Sequence, residues 1–232
     1  MRILPIIYLA VLLFFSTGTI EVLAQKESRE DYLSQVKGLS LIYRGKIEKH
    51  YSYKYKGTYF AYQEDYVPGD VYYNQKLYTD VLMNLNSHTD QILVRLTESH
   101  LPVLLDKSLV DWFVLDGRRF INMQDGDYGG LTGGYYEVLD GDETILFKKI
   151  VKEYREDLVA SGQDAKIEKV FDPVIDYYLY RDGVSEKVSG KSTFVKFFKE
   201  DKKEINHIFR EATRGERNDK DRLYKKVLEA VR

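Results

Sequence analysis

Cysteine is absent from the 232 residues of this chain. Its absence excludes disulfides, thiolate nucleophiles and every zinc or iron–sulfur site that depends on thiolate ligands. It also leaves no residue to carry a bacterial lipoprotein anchor. The fold must therefore be stabilised by packing, and we predict neither a metal site nor a cofactor.

The longest apolar run is too short to span a bilayer. It covers Ile3–Phe15, thirteen residues, where a membrane helix needs roughly 20. A positive start at residues 1–2 precedes it, and residues 22–24 (Val-Leu-Ala) offer a signal peptidase site. The pattern favours a signal peptide over residues 1–24, ahead of the weaker alternative of a retained anchor. We expect an exported, periplasmic or extracellular protein with no membrane span in its mature chain, which begins at Gln25.

Familiar catalytic motifs are also missing. The chain has no His-Glu-x-x-His, no Gly-x-Ser-x-Gly and no Ser-x-x-Lys with its partner motifs. The four histidines are scattered, so packing or surface roles are favoured over a catalytic one: His50, His88, His100 and His207. The 37 acidic residues could supply a carboxylate pair for glycoside hydrolysis, but the sequence does not indicate which two.

Charge is uneven along the chain. Residues 191–232 hold 13 Lys or Arg against 8 Asp or Glu, so they carry +5. Because the total is −2 and residues 1–24 are neutral, residues 25–190 carry −7. Acidic residues are interleaved through the basic tail, which favours solvated helical faces over a nucleic-acid or lipid surface. We predict no nucleic-acid partner.

A polar lead-in, residues 25–38, precedes a β-rich body that extends over residues 39–189. Short β-type runs alternate there with Gly, Asp and Asn, as in antiparallel sheets. The predicted strands are residues 51–55, 71–73, 77–85 and 91–96, and hairpins turn at Asp116-Gly117, at residues 140–143 and at Asp182-Gly183. Residues 153–166 are polar and are predicted to be loop or a short helix.

Residues 190–232 have helical periodicity. Three short helices are predicted, with Asp201 and Glu204 as a capping box and Asn218 as the cap of the last helix. Helices this short need the sheet for stability. The fold class is therefore α+β: an antiparallel β-sandwich or barrel-like body with short C-terminal helices packed on it, as a single domain over residues 39–232.

Three loops have partial resemblance to ligand-binding motifs. Gly190-Lys191-Ser192-Thr193 is the end of a phosphate-binding motif, but Ser185 stands where its first Gly belongs. A strand end followed by a helix start is favoured. Residues 125–130 and 140–143 cluster carboxylates as calcium loops do, yet neither has the twelve-residue EF-hand spacing. Turn formation is favoured, with calcium as the alternative.

The order of features resembles a loose group of exported Bacteroidetes-type proteins of unestablished function. The matching segments are Gly57-Thr58-Tyr59-Phe60, Gly69-Asp70-Val71, the strand pair 82–96, residues 113–120, residues 135–139 and the Lys-rich helical tail. The resemblance covers most of the mature chain, but it rests on the order of the strands and includes no catalytic motif. It implies compartment and fold class, and it assigns no active-site residue.

Tyrosine is abundant, with 20 residues, and it is the best signal of function. The stretch from Tyr51 to Tyr73, together with Trp112, suits a recognition surface, because aromatic side chains give rigid contact area with a polar tip. Packing on a half-buried sheet is the favoured alternative. As candidate binding residues we select Tyr51, Tyr53 and Tyr55. The predicted function is non-enzymatic binding of a glycan or cell-envelope protein, or a structural role in the envelope; the alternative is a glycan-active hydrolase with dispersed carboxylates.

Overall fold

The computed structural model describes residues 41–48, 51–96, 101–161 and 164–231. The predicted signal peptide and polar lead-in lie outside the described residues. The chain divides into two units between Arg44 and Gly45. In the described part of the first unit, Leu41–Tyr43 forms a 3-10 turn. The sheet, the helices and the sites below all belong to the second unit.

The described residues of the second unit form a twelve-stranded sheet. Its strands are β1 (Lys46–Ile47), β2 (Lys56–Gly57), β3 (Val67–Tyr73), β4 (Lys76–Asn86), β5 (Gln91–Arg95), β6 (Val103–Leu104), β7 (Val110–Leu115), β8 (Arg118–Met123), β9 (Gly134–Gly141), β10 (Ile145–Ser161), β11 (Asp164–Arg181) and β12 (Val184–Lys187). The order is β1-β6-β5-β4-β3-β7-β8-β9-β10-β11-β12, with antiparallel neighbours throughout, while β2 pairs with β11 in parallel. The β-rich body is therefore confirmed. The sheet is not closed.

The predicted hairpins are confirmed. Between β7 and β8, Asp116 and Gly117 have φ of 51° and 73°, as a two-residue turn of the primed type requires. Asp182 and Gly183 repeat this between β11 and β12, with φ of 52° and 79°. These short turns fix the antiparallel pairing of β7 with β8 and of β11 with β12.

The prediction of loop or helix for residues 153–166 was wrong over its described part, residues 153–161 and 164–166. β10 and β11 pair without interruption from Ile145 opposite Tyr180 to Ser161 opposite Asp164. Most described side chains of this outer ribbon are exposed or half-buried, so no buried face imposes the period of two that reveals a strand in sequence. Cross-strand ion pairs support the pairing, including Arg155 Nε to Asp172 Oδ2 at 2.5 Å.

Four helices follow the sheet where three were predicted: α1 (Lys191–Phe197), α2 (Lys202–Glu211), α3 (Arg214–Asn218) and α4 (Lys220–Ala230). Asp127–Gly130 forms a further turn, in which Tyr128 and Gly129 have left-handed backbone angles, with φ of 46° and 76°. None of the described helices has the length and apolar content to cross a membrane.

The predicted helix caps were wrong. Asp201 has φ −94° and ψ 15° and makes no side-chain cap hydrogen bond. An N-cap residue usually has an extended backbone, from which its side chain reaches the first turn of the helix. The capping box is instead Thr213 with Glu216, and Thr213 is extended, with ψ 166°. For α4 the cap is Asp219, not Asn218: Asp219 accepts from the Arg222 backbone N–H at 3.1 Å.

The helices pack on one face of the sheet, as predicted, and we call this the inner face. Its apolar core joins sheet residues to helix residues: Leu139, Leu146, Tyr177, Leu179 and Val188 with Phe194, Phe198, Ile205, Ile208, Ala212, Leu223, Tyr224, Val227 and Leu228. The opposite, outer face carries Tyr72, Trp112 and Ile121, which are cross-strand neighbours. One candidate site described below lies on the inner face, and another lies on the outer face.

Candidate functional site

Tyr51, Tyr53 and Tyr55 do not form the predicted strand. The chain bends at Ser52 and Tyr53, and regular pairing begins at Lys56. The predicted alternation is nevertheless visible in burial, since the three tyrosines are half-buried while Ser52 and Lys54 are exposed. Contact with neighbouring rings, and not strand pleating, produces this pattern.

Two of these tyrosines lie against Phe171 of β11. The ring centroids of Tyr51 and Tyr55 are 5.5 and 5.3 Å from that of Phe171. They join a tyrosine cluster made of buried Tyr59, Phe60, Leu93 and Phe171 with half-buried Tyr51, Tyr55, Tyr66, Leu104 and Tyr154. Tyr53 is covered differently, by the Lys169 ammonium 3.8 Å from its ring centroid. Packing is therefore one role of these side chains, and binding through them stays a prediction.

His88 has a structural position at the edge of this cluster. Its Nδ1 lies 2.8 Å from the Lys152 carbonyl oxygen, and because a carbonyl can only accept, Nδ1 carries the proton. The ring also meets Phe171 edge-on at 5.1 Å. His50 and His100 lie outside the described residues. The favoured packing role of a histidine therefore fits His88.

The structure brings two carboxylates together on the inner face. Lys148 of β10 is nearly buried, and its Nζ lies 2.5 Å from Asp221 Oδ2 of α4 and 3.8 Å from Glu137 Oε2 of β9. Glu137 is 5% exposed, so its charge needs compensation. Arg118 Nε, 3.9 Å from Glu137 Oε1, adds a second cation. We call this group, with the tyrosines described next, the buried charge network.

Two tyrosines complete the buried charge network. The Tyr62 hydroxyl donates to Glu137 Oε2, and the Tyr177 hydroxyl donates to Asp221 Oδ1 at 2.6 Å. Burial, reinforced by these hydrogen bonds to carboxylates, raises the pKa of both phenols above the ordinary value. The Arg118 guanidinium also stacks over Tyr62, 4.2 Å from its centroid. Both phenols therefore remain protonated donors at neutral pH.

The geometry of the buried charge network suits a link between the sheet and α4, and not the hydrolysis of a glycosidic bond. A glycosidase needs space for a sugar between its two carboxyl groups, whereas Lys148 occupies the space between Glu137 and Asp221. Beside Asp221 the surface has a depression of about 630 Å³. Charged helix residues line it: Glu216, Asp219, Asp221, Arg222, Lys225, Lys226 and Glu229. Asp221 and Arg118, whose side chains are 35% and 36% exposed, are thus points at which the network meets solvent.

The loops that resemble ligand motifs use their side chains locally. Asp125 Oδ1 accepts from the Gly133 backbone N–H at 2.6 Å, and Asp140 Oδ1 accepts from Gly141 N–H at 2.9 Å. Within the described residues no group of three or more His, Asp or Glu side chains is placed to hold a metal ion. Gly190 follows the last strand and is the N-cap of α1. This agrees with the favoured prediction for Gly190-Lys191-Ser192-Thr193, a strand end followed by a helix start.

A row of apolar side chains crosses four strands on the outer face. Leu77 lies opposite Tyr72, Tyr72 opposite Trp112, and Trp112 opposite Ile121. The Tyr72 and Trp112 rings are nearly parallel, at 10° with centroids 5.9 Å apart. The guanidinium of exposed Arg119 lies 4.9 Å from the Trp112 ring. We call these five residues the outer-face row.

The outer-face row has partial exposure that suits recognition. Leu77 is 47% exposed, and Tyr72, Trp112 and Ile121 are half-buried. Strands lie about 4.8 Å apart, so the row extends over about 14 Å. Arg119, which lies over the Trp112 ring, offers a planar set of hydrogen-bond donors. The arrangement can meet a ligand with both apolar and hydrogen-bonding groups.

Sequence reasoning missed the buried charge network but part of the outer-face row was anticipated. Tyr72 and Trp112 belong to the predicted aromatic recognition set, and the structure brings them together although 40 positions separate them. A signal for the network existed: Glu137 lies inside the apolar run of residues 135–139, and a charge in such a strand is usually paired.

The chain matches no family model, no curated protein and no solved structure.

Proposed function

We propose that this protein is an exported, non-enzymatic binding or structural component of the cell envelope, and that a glycan or an envelope protein contacts the outer-face row. The observation that carries the proposal is the stacked set of Tyr72, Trp112 and Arg119 on a partly exposed sheet face. Tyr, Trp and Arg are the residues that dominate recognition surfaces. Their placement on three adjacent strands holds them rigidly.

Export is supported by residues 1–24, whose charge, apolar run and small residues match a signal peptide. The expected exported form starts at Gln25, without a lipid. Intact-mass measurement of the protein recovered outside the cytoplasm tests this. A mass that includes residues 1–24 would contradict it.

Binding is tested by comparing two sets of substitutions on a glycan array and in crosslinking to envelope proteins. Tyr72→Ser with Trp112→Ser should abolish binding while the protein keeps its melting transition, because neither side chain belongs to the inner-face core. The matched set, Tyr51→Ser, Tyr53→Ser and Tyr55→Ser, tests the alternative surface. Loss of binding in the second set alone, with the fold intact, would transfer the site to the tyrosine cluster.

The alternative function, a glycan-active hydrolase, makes a different prediction. Its best carboxylate pair is Glu137 with Asp221. Asp221→Asn should then abolish turnover of a polysaccharide panel. We favour binding because Lys148 bridges these carboxylates, and detection of turnover that Asp221→Asn removes would overturn the proposal.

A further inference from the structure

The far half of the β10–β11 ribbon exposes two apolar side chains that face each other. Leu158 and Ile167 are directly opposite in the register, and they are 75% and 58% exposed. Directly opposed residues share one face of the ribbon. Paired apolar side chains on a projecting element favour contact with another surface.

The backbone edge of β11 beside Ile167 has no strand partner among the described residues. On that edge β12 covers residues 178–181 and β2 covers Val170 and Phe171. Alternate residues of a strand direct their N–H and C=O to the same edge. Tyr177 uses this edge, since its C=O accepts from the Val188 N–H at 2.8 Å. Ile167, ten positions earlier in an unbroken ladder, therefore presents its N–H and C=O to the open edge.

The sequence around Ile167 is complementary to itself. In an antiparallel pairing of two copies about Ile167, each Ile167 lies opposite Ile167 of the other copy, and each Lys166 lies opposite the other Glu168. Opposite charges across a strand pair stabilise it. The same register aligns Leu158, Ile167, Ile167 and Leu158 in one row across four strands. If two copies paired instead through β10, an alignment about Glu156 would place Glu156 opposite Glu156, and an alignment about Asp157 would place Asp157 opposite Asp157.

We propose that residues 165–169 of β11 form a two-fold symmetric antiparallel interface with a second copy of this chain. Each Ile167 would donate its N–H to the C=O of Ile167 in the other copy and accept in return. The contact is isologous, so it closes at a dimer. Any extended peptide could pair with the backbone edge, but the chain's own segment also places Lys166 of each copy opposite Glu168 of the other, in addition to the ion pair of Glu168 with Lys56 of its own chain at 2.5 Å.

Light scattering after size exclusion, over a range of concentrations, tests the proposal with a charge reversal. Lys166→Glu should weaken the dimer at least about tenfold, because two like-charge contacts replace two attractive ones. The double variant Lys166→Glu with Glu168→Lys should restore dimerisation. Val184→Lys is the matched control, since Val184 is exposed to 59% on β12, away from this edge, and it should dimerise normally.

A second variant separates the interface from folding. Ile167→Pro removes an N–H that points away from β10, as Pro173 does naturally in the same set of alternate residues. It should give a monomer with an unchanged circular dichroism spectrum. A wild-type protein that stays monomeric at millimolar concentration, or a dimer unaffected by Lys166→Glu and Ile167→Pro, would overturn the proposal.

Discussion

Lys148 of β10 places its ammonium 2.5 Å from the Asp221 carboxylate of α4, 73 positions later in the chain. This contact joins the last helix to the sheet. Because Lys148 also approaches buried Glu137, the ammonium compensates two carboxylates of different elements. The buried charge network therefore specifies how the helical segment docks.

Removing the Lys148 charge should strongly destabilise the protein. Lys148→Met leaves Glu137 buried with reduced compensation, at a cost of about 3–5 kcal/mol in the free energy of unfolding, measured by urea denaturation. Adding Glu137→Gln should recover part of the loss. As a control, Lys196→Met removes an exposed pair with Glu186 and should change stability little. Equal effects of the two lysine variants would contradict a special role for the network.

Two glycines with similar φ provide a matched test of the β2–β11 contact. Gly57 and Gly117 have φ of 76° and 73°, but an added Cβ lies 2.4 Å from the Phe171 carbonyl oxygen at Gly57 and meets nothing within 4 Å at Gly117. Gly117→Ala should cost about 1–2 kcal/mol for the left-handed backbone. Gly57→Ala should cost more, and should alter the near-ultraviolet circular dichroism of the tyrosine cluster. Equal costs would show that the crowding is relieved easily.

The corrected helix caps predict unequal effects of two substitutions. Thr213→Ala should lower the free energy of unfolding by about 1 kcal/mol, because it removes a cap hydrogen bond. Asp201→Ala should have little effect, since its side chain makes no cap hydrogen bond. Thermal and urea denaturation measure both. The reverse order would return the cap to Asp201, as the sequence pattern predicted.

Stability should fall at alkaline pH through the buried tyrosines. Burial raises the pKa of Tyr66 to about 12, above about 10 in the unfolded chain. The folded state then holds a proton that the unfolded state loses, so stability present below about pH 10 is lost as the pH rises towards about 12. Burial lowers the pKa of Lys149 and Lys152, so the folded state releases these protons at a lower pH than the unfolded state does. The contribution of these lysines to the free energy of unfolding therefore rises with pH, opposite to that of the tyrosines.

Tyr66→Phe isolates the tyrosine contribution. Its hydroxyl is buried without a hydrogen-bond partner among the described residues, so the substitution should not destabilise the protein at neutral pH. Above about pH 10 the variant should lose stability less steeply than the wild type, as measured by urea midpoints over a pH series. Parallel curves would contradict a raised pKa for Tyr66.

The sequence alone determined the local turns and the helical period. Asp116-Gly117 and Asp182-Gly183 favour positive φ whatever surrounds them, so both hairpins were predictable. The apolar stripes around Ile205 and Leu223 likewise indicate helices that need a sheet to cover them. These features depend on residues close together in the chain.

Tertiary structure decided what local pattern could not. The described side chains of residues 153–161 and 164–166 form no buried face, so only the pairing of these segments in register makes them strand. Tyr51 and Tyr55 alternate as a strand would, yet Phe171 of β11 sets their burial. The contacts between Lys148 and Asp221, and between Tyr72 and Trp112, depend on strand order and helix docking, because long-range pairing is fixed by the packing of the whole fold and not by spacing along the chain.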